Sequence, residues 1–339
     1  MFFIRADSNP IISGGHIMRC LAIANALIER GEKVCFLVAD ENPIPVLEDA
    51  EISYIILHSK WQDPMTDVEQ VKSIISRDRH PVLLIDTYRI TREYVEEVKA
   101  YCKVIYLGSK QEYLGELNLL INYSTNIDYD FYYRNYDKST TLLLGPSYAP
   151  LRKEFQNVVP VYKNQVDRIL ITTGNTDYNH MAMEISKALQ HTIARTSIKL
   201  DIIVGRMFDD AEELHSYFDN MPNVTLYDNV KLMSLIMKEC DLAISANGTT
   251  VYELSAMGIP TISFAMVDEQ LKSAEALSQL GVIDYCGRSF EDKNECVSQI
   301  IKRVTFYLEN NNSRIELARK AHKLIDGNGV NYIIDTMLS

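Results

Sequence analysis

The 339-residue sequence has no apolar run long enough to span a bilayer or to form the core of a secretory leader. Met1-Phe2-Phe3-Ile4 is apolar, but Arg5 and Asp7 interrupt it, whereas a span needs about 20 such residues and a leader core at least about 7. Neither membrane insertion nor a secretory signal is expected. Cysteine is sparse and unpatterned. Cys20, Cys35, Cys102, Cys240, Cys286 and Cys296 form no C-x-x-C and no ligand-like spacing, which argues against zinc and for the reduced thiols of a cytoplasmic protein. Positive charge is also short: 34 Lys and Arg against 46 Asp and Glu leave a net charge of −12. Without a basic footprint a nucleic-acid partner is not expected, although backbone amides can still hold one small anion. No glycine-rich turn spells G-x-G-x-x-G, so a dinucleotide is disfavoured. No cofactor and no metal are called for. Repeats, low-complexity tracts and Gly/Ser linkers are absent as well, and a monomer suffices for this reading.

What remains is an α/β pattern written twice. Hydrophobic residues make up 47% of the chain, enough for two cores. Strands are expected at Phe2–Ala6, Lys33–Ala39, Ile52–Leu57, Val82–Asp86, Lys103–Leu107, Asn118–Ile121 and Thr141–Leu144. Helices fall at Gly15–Arg30, Met65–Ser76 and Thr91–Tyr101. In the first helix Met18, Leu21, Ala22, Ala24 and Leu27 are expected to face inward. Pro146, Pro150 and Pro160 punctuate an aperiodic crossing, after which strands and helices alternate again from Arg168. Strands separated by helices give parallel sheets with crossovers. The expected division is 1–155, 156–328 and a C-terminal helix, 329–339, packing back on the first domain. Two such Rossmann-like domains would set their sheets across a cleft, where open α/β folds place ligands.

Three turns carry candidate chemistry. Between the first strand and helix lies Ile12-Ser13-Gly14-Gly15-His16-Ile17-Met18-Arg19-Cys20, preceded by Arg5-Ala6-Asp7. Gly14 and Gly15 let a ligand approach the backbone. A helix N-terminus favours the neutral imidazole that a general base needs, so His16 is the candidate base; a structural histidine is the competing reading. The second turn, Ser245-Ala246-Asn247-Gly248-Thr249-Thr250 followed by Glu253, joins a strand to a helix. Amides of Gly248, Thr249 and Thr250 suit a diphosphate, and Glu253 suits ribose hydroxyls, unless it merely complements the helix dipole. The third, Thr173-Gly174-Asn175-Thr176-Asp177, reads equally as a second set of amides or as a connection capped by Asp177. Asp128-Tyr129-Asp130 imitates a metal-binding D-x-D but lies in the aromatic stretch Tyr123–Tyr136 and reads as a surface loop.

Taken together these stretches resemble the UDP-sugar hydrolases of pseudaminic acid biosynthesis and their relatives in spore-coat polysaccharide operons. That family is similar in fold to the GT-B glycosyltransferases. The resemblance rests on R-x-D at Arg5–Asp7, G-H-x-M-R-C at Gly15–Cys20 and Asp86-Thr87-Tyr88. It also rests on Leu144-Gly145-Pro146-Ser147-Tyr148-Ala149-Pro150-Leu151-Arg152, the Gly248–Glu253 turn and Asp326-Gly327-x-Gly329. It implies a GT-B chain that hydrolyses a UDP-linked diacetamido-trideoxy sugar by inverting attack of water. His16 would be the base, Asp7 would orient it, and Tyr88 would lie by the sugar. Arg5, Gly14, Gly15, Arg19, Gly174, Asn175, Asn247, Gly248, Thr249, Thr250, Glu253, Glu269 and Gln270 would bind substrate. A GT-B glycosyltransferase and a non-catalytic nucleotide-sugar binder are the alternatives. The sequence departs from the family at Ser13, at Leu107-Gly108, at Thr173–Asp177 and at Glu269, which stands in place of an asparagine.

Overall fold

The computed structural model describes residues 1–9, 11–12, 14–193 and 196–339; Ser13 lies outside the described residues. The chain divides into unit 1, Met1–Lys153 with Asn328–Ser339, and unit 2, Glu154–Gly327.

Unit 1 is built on seven strands: β1 (Phe2–Ala6), β2 (Val34–Val38), β3 (Tyr54–Ile56), β4 (Val82–Asp86), β5 (Lys103–Leu107), β6 (Leu119–Asn122) and β7 (Thr141–Leu144). Their order is β3-β2-β1-β4-β5-β6-β7, with every pair parallel. Side chains alternate across such a sheet, so each strand feeds two cores. Ile4, Phe36, Leu84 and Ile105 face α1 (Gly15–Glu29). Phe3, Leu37, Leu83, Ile85 and Val104 instead face a core that includes Val71, Ile75, Tyr94 and Val98. Those residues belong to α3 (Val68–Ile75) and α4 (Arg92–Val98), which follow a short α2 (Ile44–Asp49). Leu21, Ala22, Ala24 and Leu27 of α1 are buried as the periodicity requires, but Met18 is 44% exposed. The aromatic stretch expected as a loop contains α5 (Tyr129–Asn135), because Asp128 caps it by accepting the Phe131 N–H at 3.0 Å. Asp130 is exposed and pairs with Arg134.

Unit 2 repeats the plan with β8 (Arg168–Thr172), β9 (Lys199–Val204), β10 (Val224–Asp228), β11 (Leu242–Ala246), β12 (Thr261–Ala265) and β13 (Asp284–Arg288). The order is β10-β9-β8-β11-β12-β13, again parallel. Its helices are α6 (Met181–Ile193), α7 (Ala211–Phe218), α8 (Met233–Met237), α9 (Thr249–Ala256), α10 (Leu271–Gln279), α11 (Lys293–Glu309) and α12 (Asn311–Leu324). Ile169, Ile171, Leu200, Ile202, Ile244, Ile262 and Phe264 share one core with α6 and α11. β13 escaped the sequence reading because Asp284-Tyr285-Cys286-Gly287-Arg288 carries no apolar run; it is a half-buried edge strand.

The last helix, α13 (Gly329–Leu338), belongs to unit 1. It adds Val330, Ile333, Ile334 and Met337 to the core beneath α1. Its first residue seats on the turn Pro146–Ala149: a Cβ on Gly329 would stand 2.7 Å from the Tyr148 carbonyl carbon and 2.8 Å from the Ala149 nitrogen. Two motifs far apart in sequence are therefore one packing contact. Gly329→Ala is expected to destabilise unit 1 by about 1–3 kcal/mol through overpacking against backbone, read as a lower urea midpoint.

Candidate active site

In both sheets the first and fourth strands lie side by side and their connections leave in opposite directions. The carboxyl ends of such a pair open a crevice, the usual ligand site of doubly wound folds. In unit 1 these strands are β1 and β4, with Ala6 in register with Asp86. The chain leaving β1 starts α1 with Gly15 and His16, and Asp86 closes β4 beside it. His16 Nδ1 lies 2.6 Å from Asp86 Oδ1, with both side chains buried.

Arg19 Nη2, which can only donate, also lies 2.9 Å from Nδ1. The shorter contact to Asp86, whose carboxylate only accepts, favours the imidazole proton on Nδ1 and the lone pair on Nε2. Asp86 is itself held firmly. Arg19 Nε donates to its Oδ2 at 2.6 Å, Arg19 Nη2 pairs with Oδ1, and the Cys20 thiol donates to Oδ2 at 3.3 Å. Burial alone would raise the Asp86 carboxyl, but the Arg19 charge and the hydrogen bonds from Arg19 and His16 keep it below the usual carboxylate range. Tyr123 accepts from Arg19 Nη1 at 2.9 Å. Tyr88, 54% exposed, sets its ring edge-on to His16 with centroids 4.9 Å apart. Gly14 and Gly15 are exposed, and a Cβ at either would meet nothing within 4 Å. Among the described residues no neighbouring atom beyond the adjacent chain excludes a side chain at these positions.

Three sequence expectations are corrected here. Asp7 does not orient His16: its carboxylate accepts from Arg5 Nη1 at 2.5 Å and from the Ala39 N–H at 2.7 Å. Arg5 is fully buried and forked between Asp7 and Asp67, so it is a structural cation with no surface to offer a ligand. Arg19 spends its guanidinium on Asp86 and Tyr123. The sequence reading placed Asp86 among the residues of the resemblance but gave it no role. The signal available for it was a carboxylate ending the strand that an open α/β topology places next to β1.

In unit 2 the corresponding neighbours are β8 and β11, with Thr172 in register with Ser245. Their turns hold Gly174-Asn175 and Asn247-Gly248. Gly174 needs its glycine, at φ +92°, and the space around it is open. Gly248 is the N-cap of α9 in extended conformation; no side chain caps the helix, and a Cβ on Gly248 would meet nothing within 4 Å. Gly248 and Thr249 are exposed and Thr250 and Glu253 half-buried, so the helix start presents backbone donors outward. Asn247 is buried, with its Nδ2 donating to the Gln270 carbonyl at 3.2 Å. Among the described residues Asn247 Oδ1 has no hydrogen-bond partner, and half-buried Gln270 uses its Oε1 to accept the Met266 N–H at 2.7 Å. Glu269, next to it, is exposed. Asp177 accepts from the Met181 and Ala182 amides and so caps α6. Burial, with the charge of Asp210 adding to it, pushes Asp177 up to about 6 against the opposing pull of those amides.

A cavity of about 480 Å³ in unit 2, lined by Tyr162, Met237, Asp241, Pro260 and Ile315, lies at the opposite ends of these strands. It takes in none of the candidate catalytic or substrate-binding residues. Among the described residues no helix is long and apolar enough to cross a membrane.

Comparison with known proteins bears on the fold. Residues 168–335 match the glycosyltransferase family 28 C-terminal domain. The chain is 22% identical over 338 residues to the spore coat polysaccharide biosynthesis protein SpsG of Bacillus subtilis, covering 96% of this chain and 94% of that one. It is 24% identical over 273 residues to an uncharacterised protein of Methanocaldococcus jannaschii, covering 76% of this chain but only 54% of the relative, so it spans about half the archaeal protein's length. Among solved structures it is similar to MurG of Acinetobacter baumannii, with a TM-score of 0.68 at 15% identity and 99% of each chain covered. It is also similar to a glycosyltransferase of Rickettsia africae, with a TM-score of 0.62 at 13% identity, covering 98% of this chain and 97% of that one. The fold is GT-B.

Proposed function

We propose that the protein hydrolyses a UDP-linked sugar, with His16 as general base, in the making of a surface or spore-coat polysaccharide. The observation that carries this reading is the buried His16–Asp86 pair at a glycine-flanked helix start. Its tautomer leaves Nε2 as an acceptor. In the proposed step Nε2 takes a proton from water as the water oxygen attacks the anomeric carbon. The bond from that carbon to the β-phosphate oxygen breaks with inversion, and UDP departs with the electron pair. UDP is a good leaving group, so most of the task is placing water and stabilising charge on phosphate. Unit 2 is assigned the nucleotide: the amides of Gly248, Thr249 and Thr250 take the diphosphate, Glu253 the ribose, and Gly174 and Asn175 a second contact. Tyr88 flanks the sugar, and exposed Glu269 meets its hydroxyl or amide groups. The sugar class, a diacetamido-trideoxy hexose, rests on the family resemblance supported by the SpsG relative.

A glycosyltransferase is the second reading, favoured by the family 28 domain match. The same base would then deprotonate an acceptor hydroxyl instead of water. The test is UDP release, without acceptor, from a panel of UDP-sugars that includes the diacetamido-trideoxy altrose. Release that disappears in His16→Ala supports the hydrolase. Saturable binding without release supports the transferase, and neither binding nor release of any UDP-sugar sinks both readings.

A further inference from the structure

Two turns on the carboxyl edge of the unit 2 sheet bring a histidine and two aspartates together. The β8–α6 turn ends in His180, and the β9–α7 turn ends in Asp209 and Asp210. One ligand-capable atom of each lies within 4.8 Å of the others. His180 Nδ1 is 2.9 Å from Asp210 Oδ2 and 3.7 Å from Asp209 Oδ1. The turns are fastened to each other, since the Met207 N–H donates to the Asn175 carbonyl at 2.9 Å. Gly205 permits that approach: a Cβ there would stand 2.6 Å from the Asn175 oxygen and from the Phe208 ring. Asn179 and His180 both adopt left-handed backbone, at φ 66° and 55°, to turn the chain toward Asp210.

Asp210 is the informative residue. It stands at the N-cap of α7, where an aspartate ordinarily accepts a first-turn amide, yet its side chain makes no capping bond. That side chain is only 6% exposed, and its Oδ1 has no hydrogen-bond partner. Among the described residues the only ion pairs of Asp209 and Asp210 are those with His180. Among the described residues Asp210 Oδ1 has nothing to accept from, while Oδ2 faces His180, so the cluster keeps an unused buried acceptor in a chain of net charge −12.

We infer that His180, Asp209 and Asp210 bind a divalent transition-metal ion. One imidazole nitrogen with two carboxylate oxygens suits Zn²⁺ or Mn²⁺, whereas Mg²⁺ and Ca²⁺ prefer oxygen alone. Three protein ligands leave further positions to water or an anionic oxygen. The ion would tie the Gly174–Asn175 turn to the turn after β9. The proposed base chemistry of His16 needs no metal; the ion would bear on that reaction only through the Gly174–Asn175 turn.

The test uses tag-free, EDTA-stripped protein titrated with Mn²⁺, followed by electron paramagnetic resonance, and with Zn²⁺, followed by calorimetry. One saturable ion per chain is expected. Its affinity should fall at least about tenfold in His180→Gln and in Asp210→Asn. Metal should raise the unfolding temperature of the parent but not of either variant. His180 is half exposed and Asp210→Asn is isosteric, so the metal-free unfolding temperatures show that both variants are folded. No saturable binding of either ion by the parent, or affinity unchanged in both variants, overturns the inference.

Discussion

Asp86→Asn is expected to lower turnover by about 10³–10⁴-fold, close to the loss from His16→Ala, while UDP affinity changes by no more than about twofold. The cause is the tautomer. The Asp86 carboxylate 2.6 Å from Nδ1 favours the proton on that nitrogen, against the Arg19 Nη2 donor at 2.9 Å, and leaves Nε2 as the acceptor. An asparagine amide can donate to Nδ1 instead, which moves the proton to Nε2, where it blocks removal of a proton from water. His16 and Asp86 act as one unit, so the double variant should be little worse than either single one. A purely structural Asp86 gives a different result: the variant unfolds more easily, but turnover per folded molecule equals the parent's. Acid stability is a second readout. The Asp86 carboxyl is depressed in the folded chain, so its stabilisation is complete above the ordinary carboxylate range and is lost as pH falls through the depressed value. Asp86→Asn removes that part of the acid-side loss.

Arg5→Met is expected to cost unit 1 about 3–5 kcal/mol. Arg5 is fully buried between Asp7 at 2.5 Å and Asp67 at 2.9 Å, and both carboxylates are buried too. Ser59 and Tyr94 also donate to Asp67, at 2.9 Å and 3.2 Å. Removing the cation leaves two unneutralised carboxylates where water cannot reach them. Adding Asp7→Asn and Asp67→Asn should therefore restore much of the loss, because the penalty comes from orphaned charge more than from a missing bond. Arg5→Lys should also be destabilising, since an ammonium cannot fork between two carboxylates as a guanidinium does. Trp61, the one tryptophan of the chain, lies in unit 1 close in sequence to Asp67. Its fluorescence in a urea titration follows this unit. Unchanged stability with weakened substrate affinity would instead return Arg5 to the binding role the sequence suggested.

Local patterning made much of the scaffold legible. Short apolar runs such as Val82–Asp86 and Arg168–Thr172 read as buried parallel strands, and α1 announced itself by apolar residues at helical spacing. His16 was visible because glycine, helix start and histidine are adjacent in the chain. Elements whose signal is weak or depends on tertiary contact escaped: α5 inside an aromatic stretch, and β13, whose charged residues lie at a sheet edge.

The partners of the chemical groups were another matter. His16 and Asp86 are 70 residues apart, and they meet only because the order β3-β2-β1-β4 sets the fourth strand against the first. Arg5 and Asp7 read as site residues because they precede the glycine turn. Strand alternation puts both on one face, so the fold turns them inward as an ion cluster with Asp67 and leaves the neighbouring edge to Asp86. His180 and Asp210 likewise come together because β8 and β9 are adjacent in the sheet. Sequence periodicity determined which segments are strands and helices, and which small-residue turns stand at their ends. Strand order and the facing of each side chain, which depend on long-range packing, decided which charges meet.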